Sequence, residues 1–101
     1  MMKDVIAYLI GYTTTLNDFK QEIHTETRQE ILAKKDDVTR SEFYRGGEAG
    51  LRPEFVLTTA IIDYSGEREV ELDGQRYGVY RTHEVSEDYI ELYCERKGGV
   101  Q

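Results

Sequence analysis

Glu69-Val70-Glu71-Leu72-Asp73-Gly74-Gln75-Arg76-Tyr77-Gly78-Val79-Tyr80 is the stretch on which the fold turns. Charged and apolar residues alternate before Asp73-Gly74, and polar and apolar residues alternate after it, the two-residue period of strands with one buried face. Asp-Gly between two such runs is a two-residue hairpin turn, because glycine accepts the positive φ that the turn demands. The pairing predicts that Val70 and Leu72 share a face with Tyr77 and Val79.

Working outward, the same strand grammar continues in both directions. Tyr89 to Glu95 predicts a last strand with Ile90, Leu92 and Cys94 on one face and Glu91 and Glu95 on the other. Phe55 to Tyr64 is the most apolar segment, and its even spread of apolar residues predicts a central strand buried on both sides. Val5 to Tyr12 is a further β-rich run, ending in three threonines. Phe19, Gln21, Ile23 and Thr25 alternate with Lys20, Glu22 and His24, which predicts a half-exposed strand. Glu30 to Lys35 has helix-forming residues and a Glu30–Lys34 pair, yet its place between strands assigns it to strand as well. Thr39-Arg40-Ser41-Glu42 matches a capping box, with Thr39 as cap and Glu42 reaching back. Gly46-Gly47 should stop that helix after barely two turns. The expected architecture is all-β, a small barrel or sandwich of six to seven short strands in one domain spanning 1–101. A flexible helix/loop insertion occupies about 39–54, and 97–101 is expected to form a flexible tail.

With 101 residues there is room for one core, and with 39% hydrophobic against 33% charged residues that core is thin. Extra burial against a partner would offset the deficit. Acidic residues outnumber basic ones 20 to 13, a net charge of −7. Gripping nucleic acid through its phosphates needs clustered Lys and Arg. The nearest cluster, Lys34-Lys35, runs directly into Asp36-Asp37. The short apolar stretch near the N-terminus lacks the length of a membrane span, and a core role is expected for it.

Residue types that carry catalysis are sparse. His24 and His83 are the two histidines, and no His or Cys spacing suited to a metal surrounds them, so both are expected to face solvent. Cys94 falls on the inward face of its strand, the place of a small hydrophobe and not of a nucleophile. Asp63, Glu67, Glu69, Glu71 and Asp73 read as the solvated edge of strands. Gly46, Gly47 and Gly50 match no phosphate loop. No catalytic, cofactor or metal residue is therefore nominated. What stands out is a load of 8 tyrosines and 3 phenylalanines, and the segment Arg40–Pro53 with its Phe43 and Tyr44.

Five blocks in order, Arg40-Ser41-Glu42-Phe43-Tyr44, Gly50-Leu51-Arg52-Pro53-Glu54, Asp63-Tyr64-Ser65-Gly66-Glu67, Tyr77-Gly78-Val79-Tyr80-Arg81-Thr82 and Ile90-Glu91-Leu92-Tyr93-Cys94-Glu95, resemble one family. It is that of the phage head closure proteins, also called head–tail adaptor, joining or connector proteins, of siphophages and prophages. The resemblance spans roughly residues 17–96. It implies a small β-barrel virion protein of the neck, assembled in the host cytoplasm as a homo-oligomeric ring of about twelve subunits. Its partners would be copies of itself, the portal or adaptor ring, tail terminator proteins, and double-stranded DNA that passes without specific binding. A net acidic channel wall suits that passage. The resemblance makes Arg40 to Glu54 the insertion that faces the channel or a neighbour, with Arg40, Glu42, Phe43, Tyr44, Arg45 and Arg52 as contact candidates. Members often carry alanine where Gly46 or Gly47 stands. The alternative from the residues alone is a small barrel that stacks single-stranded nucleic acid on its tyrosines.

Overall fold

The computed structural model describes residues 2–97, so of the expected tail only Lys97 is seen and 98–101 lie outside the described residues. Six strands form a closed antiparallel barrel in the order β1-β2-β3-β6-β5-β4. They are β1 (Lys3–Leu16), β2 (Glu22–Asp37), β3 (Pro53–Ala60), β4 (Glu69–Leu72), β5 (Gln75–Glu84) and β6 (Tyr89–Arg96), with helix α1 (Arg40–Glu48) between β2 and β3. Closure is made by Leu9 of β1 lying opposite Val70 of β4, which removes one pair of sheet edges.

The decisive hairpin forms as its sequence requires. Val70 pairs with Tyr77 and Leu72 with Gln75, and both turn residues have positive φ, Asp73 at 53° and Gly74 at 80°. Val70 and Leu72 join Leu9, Ile31, Phe55, Leu57, Ile90, Leu92 and Cys94 in one core, against which Tyr77 and Val79 pack. Phe55 and Tyr77 meet edge to face at 4.6 Å across the barrel interior.

Three expectations are corrected. The segments 19–25 and 30–35 are not two strands; Glu22–Asp37 is one strand of 16 residues, paired with β1 from Lys3↔Lys35 to Leu16↔Glu22. The apparent break between them is the point where the strand leaves the barrel, so its pattern loses the buried face that the rest displays. The run from Phe55 ends as strand at Ala60, and Ile61–Asp63 forms a 3₁₀ turn that leaves Ile62 89% exposed. There the chain must cross the barrel end to reach β4, and the Ile61 amide is held by the Asp88 carbonyl instead of a ladder.

The third correction concerns α1, which runs through both glycines for nine residues and ends at Ala49, with Gly50 at φ 83° closing it. Gly46 is buried, and a Cβ there would stand 2.4 Å from Pro53 Cγ. Gly46 is thus a contact residue that lets the helix lie against the start of β3, not a stop signal.

Candidate interaction surfaces

Two extensions leave the barrel. The first is α1. Its Thr39 Oγ1 accepts from the Glu42 amide at 3.1 Å, but only this half of the expected capping box forms. The Glu42 carboxylate instead accepts from Tyr80 Oη at 2.5 Å and from the Arg81 guanidinium at 2.6 and 3.1 Å. Neighbouring strand residues normally point to opposite faces. Tyr80 and Arg81 both reach Glu42 because the β5–β6 register slips between Val79 and Arg81, a bulge that leaves Tyr80 unpaired. Arg81 also stacks on the Tyr93 ring at 3.7 Å, and Tyr93 donates to Glu91, which lies 3.3 Å from His83. The hydrogen bond from Arg81 holds the Glu42 carboxyl below its ordinary value, while burial and Glu42 itself push the Tyr80 phenol up. One carboxylate therefore latches the insertion to the barrel wall.

That latch sorts the predicted contact residues. Glu42 is turned inward and spent on the barrel, whereas Arg40, Phe43, Tyr44, Arg45 and Arg52 are exposed. Phe43 and Tyr44 pack edge to face at 6.0 Å while remaining 51% and 62% exposed, an aromatic pair flanked by arginines.

The second extension was not foreseen. Beyond Gly11 and before Ile31, β1 and β2 pair only with each other and form a two-stranded arm. Every residue of β2 from Glu22 to Glu30 is exposed. The faces of this arm differ. Thr13, Thr15, Ile23, Thr25 and Thr27 lie on one face and carry no charge; Tyr12, Glu22, His24, Glu26 and Arg28 lie on the other. At the tip, Asn17 Oδ1 accepts from the Phe19 and Gln21 amides at 2.8 and 2.9 Å, and Lys20 takes φ 61°. This is a three-residue hairpin loop with its last residue left-handed, locked by an Asx turn. It presents Phe19 at 83% exposure and Leu16 at 65%. The signal for the arm was present in the run of threonines followed by Leu16 and Asn17, residues that extend a strand without supplying a core face.

The remaining candidates have structural employment. Glu69 and Glu71 are not a solvated edge. Arg76 bonds both at 3.3 and 3.0 Å, Arg28 bonds Glu71 at 2.8 Å, and Lys97 reaches Glu69 at 2.5 Å. Lys97 foremost holds the Glu69 carboxyl low, and Arg28 and Arg76 do so for Glu71. Cys94 is fully buried, and desolvation pushes its thiol up to about 12. His24 and His83 have largely exposed side chains, one beside Glu22 and Thr14, the other beside Glu91. Among the described residues no group of three His, Cys, Asp or Glu side chains is placed to hold a metal ion. No described helix is long and apolar enough to cross a membrane.

The chain is thus a closed six-stranded barrel with a latched helical insertion and a projecting β-arm. No family model, curated protein or solved structure matches it.

Proposed function

We propose that this chain is a non-catalytic structural subunit of the neck of a tailed phage, a ring component between portal and tail. The geometric observation that carries the reading is a division of labour among side chains. Buried and half-buried polar groups are committed to the barrel, as Glu42, Glu69 and Glu71 are, while apolar, aromatic and Arg side chains are displayed on two extensions. Such a surface suits contact with other protein. The identity of that protein rests on the five ordered sequence blocks. Four of them lie at the insertion latch or in the strands that support it: Arg40–Tyr44, Gly50–Glu54, Tyr77–Thr82 and Ile90–Glu95. In this reading the arginines and the Phe43–Tyr44 pair contact a neighbouring subunit or line the channel.

Deleting the gene from a phage that carries it and imaging the particles tests the proposal. Heads that have lost their DNA and bear no tails are expected; full, tailed virions lacking the protein refute it. Single-strand binding is disfavoured by the placement of tyrosines. Tyr8, Tyr77, Tyr80 and Tyr93 are engaged within the barrel, and the exposed Tyr12, Tyr44 and Tyr89 stand on three separate elements, not in a row for successive bases. A low-salt gel shift with single-stranded oligonucleotides is expected to show no complex.

A further inference from the structure

The arm leaves one long strand edge open. From Glu22 to Ala33, β2 has β1 on one side and no strand on the other among the described residues, since its ladder with β3 begins at Lys34↔Thr58. Two contacts fix which backbone groups point outward. At the tip the Asn17 amide donates to the Gln21 carbonyl at 3.1 Å, so odd-numbered residues turn toward β1. At the barrel end Thr59 Oγ1 donates to the Leu32 carbonyl at 3.1 Å, so even-numbered residues turn away from it. The register with β1 is unbroken between these points. Glu22, His24, Glu26, Arg28 and Glu30 therefore hold their N–H and C=O groups toward solvent. Neither a proline nor a bulge blunts this edge.

The side chains of those five residues run acid, base, acid, base, acid. An edge of one sign would repel a copy of itself, whereas this alternation selects a register. Consider two β2 edges pairing antiparallel about a two-fold axis. An axis through Glu26 sets Glu26 against Glu26 and Glu22 against Glu30, and one through His24 sets Glu22 against Glu26. An axis through Thr25 sets Glu22 against Arg28 and His24 against Glu26, each twice, with Ile23 opposite Thr27 and Thr25 opposite itself on the uncharged face. An axis through Thr27 would drive the incoming turn onto the edge that β3 already holds, and one through Ile23 would keep only Glu22 with His24 as a distinct pair on the charged face. In the Thr25 register the turns lie beyond the ladder, bringing Lys20 of one copy toward Glu30 of the other and Asp18 toward the uncharged Leu32. Within the chain Glu22 lies 3.8 Å from His24, while Arg28 bonds Glu71 and Glu26 bonds Arg76. The strands of Glu71 and Arg76 lie beyond β1, away from the free edge, so these bonds leave that edge open.

We infer that the outer edge of β2 pairs antiparallel with the same edge of a second copy of this chain, centred on Thr25, and joins the two arms into one four-stranded sheet. Main-chain hydrogen bonds supply the hold, and the alternating charges supply the register. The contact is isologous, the same patch on both copies. It goes beyond the ring reading, whose neighbours meet head to tail, and joins either two free subunits or two rings arm to arm. Its area is small, so the copies separate in dilute protein.

Disulfide trapping reads the register directly, since the native Cys94 is buried and does not compete. Odd-numbered residues form the non-hydrogen-bonded pairs of the new ladder, about 4.5 Å apart at Cα and within disulfide reach. The proteins are mildly oxidised at about 0.5 mM, where a contact of sub-millimolar strength is populated. Glu48→Cys, on the exposed end of α1, is the control, and circular dichroism establishes that each variant is folded. Thr25→Cys should give symmetric dimers, and Ile23→Cys mixed with Thr27→Cys should give heterodimers, each at least about fivefold above the control. Ile23→Cys alone and Thr27→Cys alone should stay at the control level, because four strand steps, about 13 Å, separate the like residues. Adding Glu22→Lys to Thr25→Cys sets a cation against Arg28 and should return the yield to the control level. Adding His24→Pro instead removes one outward N–H while sparing the ladder to β1, and should do the same. Thr25→Cys dimers at the control level overturn the inference, as do dimers undiminished by Glu22→Lys. Dimers of Ile23→Cys alone or of Thr27→Cys alone, matching those of Thr25→Cys, overturn it as well, because they would place the axis elsewhere.

Discussion

Glu42→Gln isolates the latch between α1 and the barrel, because it keeps size and helix propensity while removing the charge. The native carboxylate accepts from Tyr80 at 2.5 Å and twice from Arg81, and its side chain is 13% exposed. Hydrogen bonds to a charged group contribute about 1.5–3 kcal/mol each when buried. Arg81 is 44% exposed, so its share falls to about 0.5–1 kcal/mol by solvent screening. Tyr80, half-buried, keeps the larger share, and the glutamine oxygen preserves part of it. The expected net loss is about 1.5–2 kcal/mol at pH 7, or roughly 8–12 °C in Tm for a domain of this size. The Glu42 carboxyl titrates below its ordinary 4.5 in the folded protein, so its stabilisation is complete above that value and is lost as pH falls through the folded pKa. Urea unfolding of both proteins from pH 7 to pH 3 should therefore give a difference that is flat above about pH 5.5 and shrinks below 4.5. The other carboxylates are common to both proteins and cancel. A variant as stable as the parent at pH 7, or a difference undiminished at pH 3, refutes the latch.

Gly46→Ala and Gly47→Ala should move stability in opposite directions. The first drives a Cβ into Pro53 and costs about 1–3 kcal/mol; the second meets nothing within 4 Å and gains about 0.5–1 kcal/mol of helix propensity, both read from thermal unfolding. Cys94 should resist a thiol reagent at pH 7 in the native protein and react at once in denaturant, and rapid native labelling would contradict its burial. In amide exchange, the arm between Tyr12 and Glu30 should lose protection well before the barrel ladders around Leu57 and Leu92, since it is exposed on both faces. Protection equal to the barrel's in dilute protein would mean that the arm is covered.

The sequence by itself determined most of the barrel. Alternation at Glu69–Leu72, Gln75–Val79 and Tyr89–Cys94, with Asp73-Gly74 between the first two, settles which side chains face inward, because the strand period and the positive-φ turn are local properties. The inward place of Cys94 and the cap at Thr39 were legible for the same reason. Local pattern could not reveal what depends on a distant partner. Gly46 reads as a helix stop until Pro53 is seen to need its missing Cβ. Glu42 reads as a capping residue until the bulge at Tyr80 turns two donors toward it from 38 and 39 residues away. The alternation from Phe19 to Thr25 reads as a strand with one buried face, yet Phe19 lies in the turn and from Tyr12 to Glu30 neither face is buried, because the arm stands clear of the barrel. Burial is a property of the assembled barrel, so only the tertiary structure could place Phe19 exposed at the tip of an arm.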